Sequence, residues 1–171
     1  MHYEILTLRL LHILGGTFWM GSGLFTGLFL FPALALAGSP PGPLFAALGK
    51  RRLFAALPAA AAITVLSGIR LMWLTSGGSF SSYVATPSGR TFALGGAAAV
   101  AAFVVSTVLA RPSGQRAGAI GATLATLSGD DRARAAAEMA RLQKRSATAS
   151  RFSLIFMLLA GTAMAVARYV V

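Results

Sequence analysis

The chain has no cysteine, only four acidic residues and only two histidines among its 171 residues. Without cysteine there are no disulfides, thiolate metal sites or iron–sulfur clusters, so His, Met and carboxylate groups remain as metal ligands. So few carboxylates leave no pair in the apolar segments for general acid–base work, and no Ser–His–Asp set can be assembled. Asp130 and Asp131 follow Ser128-Gly129 and stand beside arginines, a pattern that reads as the solvated first turn of a helix. Nor is there a glycine-rich phosphate loop, since Arg111-Pro112-Ser113-Gly114 offers one glycine and no lysine. Charge of either sign is scarce, at 11% of residues against 56% hydrophobic. That balance is too apolar for a water-soluble domain of this length and predicts an all-α membrane protein.

The formal charge of +11 would suggest nucleic acid as the partner of a soluble protein. Here the cations flank apolar runs, so the predicted partner is the lipid bilayer, with no nucleic acid. Met1-His2-Tyr3-Glu4 is not the basic start of a cleaved leader, and the apolar run that follows predicts a retained first span.

A spanning helix needs about 20 mostly apolar residues, and four segments qualify. They run from about 3 to 36, 53 to 73, 92 to 109 and 152 to 171, giving one four-transmembrane-helix bundle as the single domain. Pro32 is expected to bend the end of the first span. Gly38-Ser39-Pro40-Pro41-Gly42-Pro43 breaks the chain, and Leu44 to Arg52 reads as a short interfacial lead-in. Pro58 falls in the first turns of the second span, where a missing N–H costs least. Thr75 to Gly89, rich in Gly and Ser, reads as a surface loop. The basic segment 111–150 is predicted to contain a helix from Asp130 to Arg145 that runs on into the fourth span. Two of the four helices then extend into the cytoplasm.

Cation counting sets the orientation. Lys50, Arg51 and Arg52 in one linker, and Arg111, Arg116, Arg132, Arg134, Arg141, Lys144, Arg145 and Arg151 in another, share one side, predicted to be cytoplasmic. Both termini then lie outside a bacterial inner membrane, and Tyr3, Trp73, Tyr83 and Tyr169 fall at the outer level as an aromatic belt. The cytoplasmic linker is expected to meet anionic lipids.

This topology gathers the rare polar residues. Arg9 and His12 lie in the outer part of span one, Arg70 in that of span two, and Arg168 in that of span four. Glu4 is the one acid near them, and a single carboxylate cannot satisfy three guanidiniums. Haem propionates or lipid phosphates would supply the missing anions, unless the arginines snorkel to the headgroups.

At about 100° per residue, Gly15, Gly16, Trp19 and Gly23 fall in a narrow sector around His12, with Arg9 one turn earlier. A flat ligand could lie against that glycine strip with its centre held by the imidazole. The same glycines could instead let two helices touch, with His12 as an interhelical hydrogen-bonder. Met20 and Met72 are candidate second ligands. His2 lies ten residues before His12 on another face, so the two cannot clamp one iron from a straight helix and would need a bend or two chains. A pair of His12 residues across a dimer interface is a further way to supply two ligands.

The run Leu11-His12 … Trp19-Met20-Gly21 … Phe31-Pro32, then Arg51-Arg52-Leu53 … Pro58 … Gly68, resembles the first half of two related bacterial groups. These are the copper-resistance-D-like proteins and the haem-containing membrane protoporphyrinogen oxidases. The landmarks cover about the first 75 residues, and the four-span layout covers the rest. The resemblance implies that His12 is a haem ligand. The expected function is therefore a b-type haem-binding membrane protein with a redox or electron-transfer role, oxidoreductase-like if it is an enzyme. On this reading His12, Gly15, Gly16, Trp19, Arg9, Arg70 and Arg168 bind the cofactor, haem b, and His12 is the metal ligand. The alternatives left open are a non-catalytic accessory subunit of a homo-oligomer or larger membrane complex, and copper or small-solute transport.

Overall fold

A computed structural model describes residues 2–37 and 42–170 of the chain. Among the described residues there are helices and no strands, and four helical runs are long and apolar enough to cross a membrane. Their bounds are His2–Leu34, Leu53–Thr75, Pro87–Thr126 and Gly129–Tyr169. The expected break at Gly38 to Pro41 lies outside the described residues.

The first run is built from α1 (His2–Phe25), a π-helical segment (Thr26–Leu30) and α2 (Phe31–Leu36). Pro32 has no N–H to give the carbonyl four residues back, and its ring crowds that carbonyl. The chain accommodates this by widening the helix just before the proline, where the Phe31 N–H reaches the Thr26 carbonyl. A π turn thus marks the place where the bend is expected, and helical structure continues to Leu36. The same device recurs in the third run. There α6 (Pro87–Val104) passes through a second π segment (Val105–Ala110) into α7 (Arg111–Thr123), and the Arg111 N–H reaches Ser106 just ahead of Pro112.

Two short helices occupy the connections. The interfacial lead-in forms α3 (Gly42–Lys50). It is separated from the second long helix, α4 (Leu53–Thr75), by Arg52 in the left-handed region at φ 59°. The expected loop from Thr75 to Gly89 contains a helix, α5 (Phe80–Ala85). The third run starts earlier than its apolar stretch, at Pro87, because Thr86 accepts a hydrogen bond from the Gly89 N–H at 3.0 Å and proline stands at the first helical position. α8 (Gly129–Val166) is one unbroken helix from the acidic first turn at Asp130 and Asp131 through the fourth span, as the sequence predicts.

The long helices associate as two antiparallel pairs, α1 with α4 and α6–α7 with α8, and the pairs meet through fewer contacts. Small residues make the close approaches. The Cβ that Gly95 lacks would lie 3.1 Å from Ala163 Cβ and 3.3 Å from the Ala160 carbonyl. Two hydroxyls cross the same interface, Ser153 Oγ donating to Ala102 O at 3.0 Å and Ser146 Oγ to Ala110 O at 2.9 Å. Most buried apolar residues are alanines, and Trp19, Leu142 and Met157 are the only large ones among the described residues. Leu14, Phe29, Leu66, Leu94 and Leu159 point outward instead. This distribution is the reverse of a water-soluble core. Trp19 sits at the centre, clustered with Ala61, Ala102 and Met157, one residue from each of the other three long helices. Its indole meets Phe103 edge-on with centroids 6.5 Å apart.

Candidate functional site

His12 is half-buried on the face of α1 that packs against α4. Its Nδ1 lies 2.8 Å from the Thr64 main-chain carbonyl. A carbonyl can only accept, so Nδ1 carries the proton and, in the neutral ring, Nε2 keeps the lone pair. The ring lies close to the backbone of α4. A Cβ at Gly68 would sit 2.8 Å from His12 Cε1, so only glycine lets the imidazole reach Thr64. Four-residue spacing puts Ala60, Thr64 and Gly68 on one stripe of α4, and this stripe receives α1.

Between the helix pairs lies a cavity of about 490 Å³, lined on α1 by His12, Ile13, Gly16, Thr17, Trp19 and Met20. The facing wall comes mainly from α8, including Met157, Gly161 and Met164, with Thr64 and Ala99 completing it. The volume lies in the range of small-molecule sites, ~300–1,000 Å³. The walls are apolar except for the imidazole and the hydroxyls of Thr17 and Thr64. Three thioethers, from Met20, Met157 and Met164, share the space with one imidazole.

The structure brings His12, Gly16 and Trp19 together on this cavity. Gly15 turns to α4, where an added Cβ would meet Thr64 Oγ1 at 2.8 Å and the Ala60 carbonyl at 3.3 Å. Gly23 faces α8, its missing Cβ 3.1 Å from Met157 Cε. The glycine strip is therefore divided between two neighbouring helices, and only Gly16 borders open space. Arg9 is exposed and makes no ion pair with any described residue. Arg70 pairs with Glu4, through Nη2 at 2.7 Å and Nε at 2.9 Å to one carboxylate oxygen, and both side chains are partly exposed. Arg168 is exposed on a closing 3₁₀ turn, Ala167–Tyr169. All three guanidiniums belong to the same end of the bundle as His12.

Of the two methionines the sequence suggested, Met20 lines the cavity while Met72 packs beside Gly96, away from it. His2 is exposed and rests edge-on against Tyr3. Thr64 and Gly68 contact His12, and Met157 and Met164 line the cavity with it; of these the sequence marks only Gly68, as a landmark of the resemblance. The small-residue spacing Ala60-Thr64-Gly68 was the available signal for the first two. Nothing in the sequence distinguishes Met157 and Met164 from core filler. Among the described residues no three His, Asp or Glu side chains converge to form a metal cage. Comparisons with protein-family profiles, curated proteins and solved structures give no match.

Proposed function

We propose that the chain is a multi-pass protein of the bacterial inner membrane that binds b-type haem in the cavity beside His12. The exterior of Leu and Phe over a small-residue interior supports the membrane placement, because lipid leaves no reason to hide large apolar side chains. Tyr3, Trp73 and Tyr169 are exposed at the end that carries the termini, and the basic hairpin of α7 and α8 lies at the other. The positive-inside rule then puts both termini outside.

The observation that carries the cofactor reading is the Nδ1 hydrogen bond from His12 to Thr64. Histidines that ligate metals almost always anchor their other ring nitrogen in this way, which fixes the tautomer and aims the lone pair. The remaining surroundings fit the same group. The cavity wall is apolar, an indole and Gly16 border it, and the thioethers of Met20, Met157 and Met164 line the same space. Arg9, Arg168 and, in competition with Glu4, Arg70 can meet propionates at the terminal end. When bound, the haem would supply one-electron chemistry. The protein's part is to orient the imidazole, exclude water with Trp19 and the methionines, and neutralise the propionates.

Purified protein should show a Soret band that shifts on dithionite reduction and that His12→Ala abolishes. Colourless protein after expression with haem supply, or a band unchanged in His12→Ala, would overturn the reading. A second reading is favoured by Gly15 and Gly68, whose contacts use up most of the α1–α4 seam. On it, His12 is a helix-packing residue in an accessory subunit. Colourless protein that co-purifies with a membrane partner, and loses it in His12→Ala, is its signature.

A further inference from the structure

We propose that a second groove, at the opposite end of the bundle from His12, is a binding site for an anionic phospholipid. It encloses about 480 Å³ between α8 and the π segment of the third run. Val105, Leu109, Phe152 and Phe156 form an apolar floor, and Arg141, Lys144 and Arg145 border it. Along α8 the lining residues Arg141, Arg145, Thr148, Phe152 and Phe156 follow spacings of four, three, four and four, so cations and aromatics share a single stripe. Sign and polarity change along that stripe once, from charged to apolar.

Two features select a lipid over a free anion or a protein helix. The first is depth. Phe156 lies eleven residues beyond Arg145, about 16 Å at ~1.5 Å per residue, close to half of the ~30 Å hydrocarbon core. The stripe therefore matches one leaflet, with the cations at headgroup level and the phenyl rings alongside acyl chain. The second is charge. Arg141, Lys144 and Arg145 are exposed and form no ion pair with any described residue, whereas the nearby Arg134 is already paired with Asp131. Three free cations above an apolar groove complement a phosphate that carries hydrocarbon tails. The proposal shares the membrane placement of the proposed function but is independent of any cofactor.

The test is native mass spectrometry of detergent-extracted protein after equilibration with equimolar phosphatidylglycerol and phosphatidylcholine. Wild type should retain phosphatidylglycerol at least tenfold over phosphatidylcholine. The triple variant R141Q/K144Q/R145Q should lose that preference. R116Q/R132Q/R134Q, which removes the same charge elsewhere on the hairpin, should keep it. An equal loss in both triples would show diffuse attraction and overturn the site, as would equal retention of the two lipids by wild type. A competition on wild type alone decides the matter should the variants fail to fold. Excess inorganic phosphate should leave the lipid bound, and displacement would reduce the groove to an anion site and overturn the proposal. Recovery of the chain in the aqueous fraction without detergent would instead overturn the membrane placement, which separates the two failures.

Discussion

Replacing Gly15 by alanine tests whether the α1–α4 seam is held at glycine distance. A Cβ there would lie 2.8 Å from Thr64 Oγ1, closer than real Cβ contacts come, and 3.3 Å from the Ala60 carbonyl. The hydroxyl has little freedom to retreat, because it donates to that same carbonyl at 2.7 Å. The methyl group must therefore push two helices apart. Overpacking of this kind costs about 1–3 kcal/mol, offset by up to ~1 kcal/mol from the better helix propensity of alanine, so the loss should be about 1–3 kcal/mol relative to a glycine-to-alanine change with no overpacking. Gly21→Ala is the matched control, since nothing lies within 4 Å of the Cβ it would gain, and it should be neutral or slightly stabilising. Reversible unfolding in mixed micelles gives both values. Thr64→Ala removes the nearest atom while leaving the main-chain acceptor of His12 in place, so it should relieve the strain of Gly15→Ala. The expected coupling in the double-mutant cycle is at least about 0.5 kcal/mol. Additive effects, or a Gly15→Ala variant as stable as Gly21→Ala, would refute the close seam.

Two further changes probe neighbouring contacts. Gly68→Ala places a methyl 2.8 Å from His12 Cε1 and should displace the imidazole from Thr64. The expected cost is about 1–3 kcal/mol in the same unfolding assay, with the His12 ring signals in NMR moving while those of His2 stay. Ser146→Ala with Ser153→Ala removes both interhelical hydroxyl bonds between the third run and α8. At roughly 0.6 kcal/mol for each such bond in a membrane bundle, the double variant should lose about 1 kcal/mol, and a loss near zero would mean that the alanine packing alone holds the pair.

The helices were legible because their signals are local. Apolar length marks each long run, and Asp130-Asp131 marks the start of α8. Less legible was punctuation. Pro32 reads as a bend, and what the sequence does not disclose is the π turn before it, one extra residue that lets helical structure continue to Leu36. The third helix begins ahead of the apolar stretch at 92–109 because its first turn, Pro87 to Thr91, is polar and its start is set by the cap at Thr86 and the proline after it. For the site, the helical wheel put Gly16 and Trp19 on the same side of α1 as His12, and the three line one cavity. It could not say which helix would fill each glycine, because a wheel describes one surface and a contact needs two.

The cavity follows from how α1 and α8 are spaced. Toward the basic end they approach closely, with Gly23 against Met157 and Leu154. One turn nearer the termini the contact passes to Met20, whose sulfur lies 3.2 Å from where a Cβ of Gly161 would be. Trp19 is wedged at the same level, in the central cluster. Beyond it small residues line the gap, Gly16 on α1 and Ala165 on α8. The antiparallel register then carries His12 past Val166, where the last α-helical turn of α8 ends. The gap thus lies where the lining is glycine and alanine, and a side chain at position 16 would have to pass Thr64, whose Cγ2 is 3.3 Å from where its Cβ would be.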